Sequence, residues 1–364
     1  MPLPFPPAPS AHGAKRGTAD PSRLPPALAR AFSAEAPGPP RPPGPRANPW
    51  QRAGADPVAV PVRERALFDG LWRGAGHHRL ADGTVTRVRR RPVPSAGATY
   101  PVHTHLVVGT DGPLDPGRYA FDLEEGTLHR RDEAREREAG WHAPGAGAGA
   151  AGTHLVLSVQ PGRSFGRYRH RAWPLWIADT AYALAAVEFL CAPAPAAVRL
   201  GPGPRLRELL GVPRAAEHGR WLARGLAPEI PLAAVELPDS WSVPPERRDA
   251  LAARRSPATG EFGAAARARD PRAAEVAEAS GQAWVLGARR LKTWSVAVDT
   301  PAAELTRALW RGHRAAAELC YAGALSRRWR CRPVSGLVAS RDRWTFHALA
   351  MLPGEHDLDK ESAA

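Results

Sequence analysis

The chain has 364 residues, enough for two ordinary modules or for one module with long tails, and its 43% hydrophobic content suffices for a real core. The formal charge is +14, and all of the basic residues except Lys15, Lys292 and Lys360 are arginine. Such a charge favours acidic partners. The arginines are dispersed, however, with no helix-turn-helix or aromatic-interleaved RNA signature, which argues against a specific nucleic-acid role.

Residues 1–59 carry proline runs such as Pro37-Gly38-Pro39-Pro40 and are expected to be a largely disordered tail, with a short helix around Pro25 to Phe32. No continuous apolar stretch follows the first basic residues, so no secretory signal is expected and the cytoplasm is the default location. The ordered module is expected to start near Pro61. Arg65 to Gly74 reads as a helix with Leu67, Phe68 and Leu71 on one face. Next comes a turn, Pro94-Ser95-Ala96-Gly97-Ala98. Its small residues let a backbone come close to something flat or charged.

A strand follows from His105 to Gly109, then Arg118 to Asp122 and Thr127 to His129 as a hairpin around Glu125-Gly126. Residues 143–152 are Gly/Ala low complexity. His154 to Gln160 reads as a strand and Ile177 to Ala192 as a central helix. The longest apolar-rich stretch, Leu175 to Ala192, contains Asp179 and Glu188, which favours an amphipathic core helix over a membrane span. Interspersed elements of this kind indicate an α+β architecture without regular βαβ winding.

From about residue 250 the element order reads as a shorter repeat: a helix from Leu305 to Ala324, a glycine loop at Arg332 to Gly336, and a strand from Trp344 to Leu352. Cys191, Cys320 and Cys331 are odd in number and lack C-x-x-C spacing, so no disulfide framework or zinc site is expected. His103 and His105 share a strand face but have no third ligand at fixed spacing, so no metal site is assigned.

Two segments carry a resemblance. The turn Pro94-Ser95-Ala96-Gly97-Ala98-Thr99-Tyr100-Pro101 is followed some seventy residues later by Arg167-Tyr168, Arg171, Asp179 and Ala181-Tyr182. Together they resemble the SagB-type, thiazole/oxazole-forming dehydrogenase branch of the FMN-dependent nitroreductase superfamily. Glu208 to Val212 and Ile230 to Val235 are similar to that branch's helix end and closing strand. The resemblance departs at Thr99, at Arg167 (a lysine there) and at Ala181-Tyr182 (a Gly-His pair there).

The resemblance implies a nitroreductase-like mixed sheet flanked by helices over residues 60–240. A truncated second copy over 250–355 would complete an intramolecular pseudo-dimer; a homodimer is the alternative. It implies FMN lined by Ser95, Ala96, Gly97 and Ala98, with Arg171 a further contact and Arg255-Ser256, in a nitroreductase-like Arg254-Arg255-Ser256 opening, at the phosphate. Catalysis would fall to Tyr168 with Arg167. Arginine cannot act as a general base, which leaves two readings: Arg167 lowers the pKa of Tyr168 so that a phenolate acts, or the pair has lost its role. Asp179 with Arg171 is expected to be a structural ion pair or cap at the helix start, and secondarily a cofactor contact.

The implied activity is azoline dehydrogenation in the tailoring of ribosomally made peptides, with a peptide substrate, a cyclodehydratase partner and no membrane. A small-molecule acceptor such as a quinone, or a flavin-free scaffold of the same fold, are the alternatives.

Overall fold

The structure is a computed structural model describing residues 57–131 (except 75 and 80–82), 152–223, 226–264, 270–338 and 342–354, with residues 30, 31, 38, 39, 41 and 42. Most of the proline-rich segment and the loop 143–151 lie outside the described residues. The first ordered elements are β1 (Pro57–Val58), α1 (Val62–Trp72) and a two-stranded ribbon of β2 (His77–Arg79) and β3 (Val85–Arg89). Then come β4 (Val102–Val108), β5 (Gly117–Asp122), β6 (Thr127–Arg130) and β7 (Thr153–Val159). A single turn, α2 (Phe165–Tyr168), precedes the long helix α3 (Ala172–Leu190). The first half closes with β8 (Val198–Leu200), α4 (Pro204–Leu210), α5 (His218–Ala223) and β9 (Ile230–Leu237).

Seven of these strands form one sheet in the order β1-β6-β5-β4-β7-β9-β8. The expected mixed sheet is instead antiparallel at every pairing. After α3 returns the chain, β8 runs with β7, but β9 inserts between them and faces both in the opposite sense. Both sheet faces are covered. Leu106, Leu155, Leu157 and Val159 join the core under α3. Val107, Val156 and Ala234, at the alternating positions, pack with Leu206, Leu209, Leu210 and Trp221 on the other face. This is why β7 reads as a continuous apolar run: alternation puts its side chains on two buried faces.

The second half comprises α6 (Pro245–Ala253), α7 (Glu261–Ala264), α8 (Ala273–Ser280), β10 (Arg290–Ala297), α9 (Ala302–Ser326), β11 (Trp329–Val334) and β12 (Arg343–Pro353). Its sheet, β10-β12-β11, is antiparallel and has its own core around Phe262, Val276, Val285, Leu291 and Leu352. The glycine loop expected at Arg332 begins in strand: Pro333 pairs with Leu349 on β11, an edge strand, where a missing N–H is tolerated.

Helix α9 lies along α3 and joins the halves. For that reason α3 is not the amphipathic helix expected; sheet on one side and α9 on the other bury almost its whole circumference. Tyr182 accounts for one departure from the family pattern. Its hydroxyl hydrogen-bonds His347 Nε2 on β12 at 2.9 Å, and its carbonyl accepts the Tyr321 hydroxyl of α9 at 2.8 Å. Among the described residues no helix is long and apolar enough to cross a membrane.

The described part of the N-terminal segment is docked. Ala31 is buried in the main core, the Arg41 amide donates to Gly166 O at 2.8 Å, and Arg169 donates to Pro39 O at 3.3 Å. At these few residues the segment is packed against the module. Proline keeps its carbonyl as an acceptor even where it offers no donor.

Candidate functional site

The turn before β4 holds unusual backbone: Gly97 (φ 53°), Ala98 (φ 54°) and Tyr100 (φ 46°) are all left-handed. An aromatic residue in this region is strained and persists only where its surroundings over-determine it. They do so here. The Ala98 amide donates to Ser95 O at 3.1 Å, the Tyr100 amide to Ser95 Oγ at 3.0 Å, and Arg163 donates twice to Thr99 O, at 2.6 and 3.1 Å. Arg91 stacks over the Tyr100 ring at 4.5 Å.

From α3, Asp179 anchors the turn. It accepts Ser95 Oγ–H at 2.7 Å and the Ala96 amide at 2.9 Å. Burial lifts its carboxyl from 3.8 to about 7, against those two hydrogen bonds, which favour the charged form. The ion pair expected with Arg171 is not formed: Asp179 turns to Ser95 and Ala96, and Arg171 sits half-buried just ahead of α3. Ser95 and Ala96 therefore engage their donors with the protein itself. The amide of Gly97, at the exposed tip, makes no hydrogen bond among the described residues.

Arg167 and Tyr168 lie directly against that tip. A Cβ on Gly97 would fall 2.2 Å from Tyr168 Oη and 2.8 Å from Arg167 Cζ, so only glycine admits the pair. Arg167 Nη1 donates to Gly97 O at 3.0 Å, and its guanidinium lies 5.6 Å from the Tyr168 ring centre. The Tyr168 hydroxyl has no partner among the described residues. Burial raises it to about 12, outweighing the lowering by Arg167, and Asp179 adds to the rise. This corrects the phenolate reading. Tyr168 keeps its proton at neutral pH.

The second half supplies the basic edge. Arg254 Nε donates to Pro92 O at 2.9 Å, two residues before the turn, and Arg254 Nη1 donates to Ser256 Oγ at 3.3 Å. Arg255 is exposed, with Nη1 on Ala252 O and Arg254 O at 2.6 and 2.8 Å. Desolvation and the like charges of Arg90 and Arg254 lower its pKa. An anion beside this cluster would relieve that repulsion. Nearby runs a cleft of about 630 Å³ lined by Arg73, Arg87, Arg89, Arg90 and Arg91 together with Asp122, Glu124 and Glu125.

Several polar clusters were not legible in the sequence. His105 Nε2 meets Glu229 Oε2 at 2.8 Å and Ser158 Oγ at 3.0 Å, all three buried. Burial opposes the charge on Glu229, but His105 and the hydrogen bonds hold it at about 2. His105 is thus a buried structural partner. Asp122, Glu125 and His129 also gather, their ligand-capable atoms within 4.8 Å of one another, where Asp122 accepts the hairpin amides of Glu124 and Glu125.

An antiparallel sheet, a buried central helix and a strained small-residue turn at its flank make up an α+β fold. A chain from Anabaena variabilis, whose crystal structure is described as a "putative nitroreductase", superposes with a TM-score of 0.53 over 80% of this chain and 87% of that one, at 13% identity. No protein-family model matches the chain, and no curated protein matches it significantly.

Gly97 offers an unengaged amide on a small-residue surface, Tyr168 an unengaged hydroxyl, and Arg254, Arg255 and Ser256 a cationic edge.

Proposed function

We propose that this chain is an FMN-dependent oxidoreductase that dehydrogenates azolines within a peptide, converting thiazolines or oxazolines to azoles. The observation that carries the reading is the unengaged Tyr168 hydroxyl against the Gly97 tip, on a turn fixed by Asp179. FMN, when bound, supplies the acceptor for the hydride equivalent leaving Cβ. The amide of Gly97 would meet its ring edge, Ser95, Ala96 and Ala98 would line it, and Arg255 with Ser256 would hold its phosphate.

Tyr168 donates its hydroxyl proton as a hydrogen bond to the carbonyl next to the azoline Cα. Charge that develops as the Cα proton departs to solvent is stabilised there. Arg167, bonded to Gly97 O, keeps the tyrosine and the turn in register. The arginine-lined cleft suits an acidic leader segment of the peptide, and a cyclodehydratase would supply the azoline. The packing of α9 on α3 supports two halves acting as an intramolecular pseudo-dimer; the same reading takes the cytoplasm as the location.

The test is reconstitution of the full chain with FMN, desalting, and an absorbance spectrum, followed by mass spectrometry of an azoline peptide. Retained flavin and loss of two hydrogens from the peptide are expected. Colourless protein would leave the flavin-free scaffold, which the filling of the Gly97 face by Arg167 and Tyr168 favours. Flavin retained with turnover of quinones but not of azolines would move the substrate to a small-molecule acceptor.

A further inference from the structure

Helix α9 meets β11 so closely at Gly323 that a Cβ there would lie 3.0 Å from Trp329 O and 3.6 Å from Cys331 Sγ. That approach brings the Cys320 and Cys331 thiols, 1% and 3% exposed, into side-chain hydrogen-bonding contact. The Arg254 guanidinium adjoins the pair, with Nη1 3.9 Å from Cys320 Sγ. The same guanidinium reaches Pro92 O and Ser256 Oγ. One side chain therefore touches the thiol pair, the Arg254–Ser256 segment and the chain leading into the Gly97 turn.

We propose that Cys320 and Cys331 are a redox-active dithiol whose closure to a disulfide alters the hold of Arg254 on the Pro92–Gly97 turn. The hydrogen bond from Cys331 lowers Cys320 to about 7 against the opposing effect of burial, with Arg254 assisting, and Cys331 is raised in turn. Because the Arg254 guanidinium lies on Cys320 and not on Cys331, Cys320 is the nucleophile and Cys331 the resolving thiol. The oxidant class that suits so buried a pair is hydrogen peroxide.

The Cys320 thiolate attacks one peroxide oxygen, the O–O bond breaks, and hydroxide leaves, giving a sulfenic acid on Cys320. Cys331 sulfur then attacks that sulfur, the S–O bond breaks, and water carries away the Cys331 proton. Two electrons pass from the sulfurs to peroxide. The disulfide has no thiolate, so Arg254 loses an anionic partner and its geometry at Pro92 changes. The site does not depend on the flavin reading, since thiol state is measured with or without FMN.

The experiment compares reduced, desalted full-length protein with protein treated with hydrogen peroxide. Acid-quenched, unfolded samples are alkylated and digested for mass spectrometry, and hydrogen–deuterium exchange is followed over Val93 to Thr99. A dithiothreitol-reversible Cys320–Cys331 cross-linked peptide is expected, with Cys191 still alkylated and several-fold faster exchange at the turn. In Cys331→Ser, a dimedone adduct on Cys320 should replace the cross-link. Three alkylated thiols after peroxide, Cys191 oxidised as fast as Cys320, or a disulfide without change at the turn would each overturn the proposal.

Discussion

Helix α3 does two different jobs three residues apart. Asp179 reaches outward to the turn, where it holds Ser95 and Ala96 beside an exposed glycine. Tyr182 reaches into the dry seam with the second half, where it meets His347 and Tyr321. At the first position a group that titrates near neutrality, strained backbone and unengaged donors lie together. At the second, every neighbour is buried, and burial holds His347 neutral by lowering it to about 3. Perturbed groups with unengaged donors at an accessible edge make a candidate functional site, whereas dry side chains bonded to one another make a joint.

The largest effect should separate the two regions most sharply. Tyr168→Phe keeps the ring and removes only the unengaged hydroxyl, so melting temperature and flavin content should stay near wild type. Azoline turnover should fall about 10²–10⁴-fold. Steady-state kinetics at wild-type rate would make Tyr168 a packing residue.

Tyr182→Phe should behave in the opposite way. Loss of its bond to His347 leaves a buried ring nitrogen without a partner and should lower stability by about 1–3 kcal/mol in urea unfolding, with flavin content unchanged. A variant that loses flavin but not stability would dissolve the distinction between site and joint.

Gly97→Ala adds a Cβ where Tyr168 Oη and Arg167 Cζ already lie and forces alanine into a left-handed conformation. The strain alone costs about 1–2 kcal/mol. Flavin retention should drop together with melting temperature, and an unaltered absorbance spectrum would count against close packing at the tip.

A pH dependence tests the same site from the Asp179 side. The folded-state pKa of Asp179 is about 7, above its ordinary 3.8, so the folded protein holds a proton that the unfolded chain releases between those values. The associated stability is present below about pH 4 and is lost as pH rises through about 7. Asp179→Asn cannot titrate, and its melting temperature should fall less than that of wild type across this window. Parallel curves would place the carboxylate in a better-solvated setting.

The N-terminal segment shows how composition can mislead. Proline density pointed to a free tail, yet Arg41 hydrogen-bonds Gly166, next to Arg167 and Tyr168. Pairing through carbonyl acceptors leaves no trace in apolar periodicity.

Local pattern was enough for the alternation of helices and strands. The strand expected at residues 154–160 is found at Thr153–Val159, and the helix expected at 305–324 at Ala302–Ser326. The small residues of the 95–98 turn were also legible, because backbone freedom belongs to each residue type. Tertiary structure alone decided the partners. Asp179 takes Ser95, 84 residues away, in place of Arg171 nearby. Burial, a property of the whole packed molecule, keeps Tyr168 protonated despite its arginine neighbour. What Tyr182 does where the resemblance would have a Gly-His pair follows from α9 and β12 docking on α3. Those contacts join chain segments far apart in sequence, so no local window contains both sides of them.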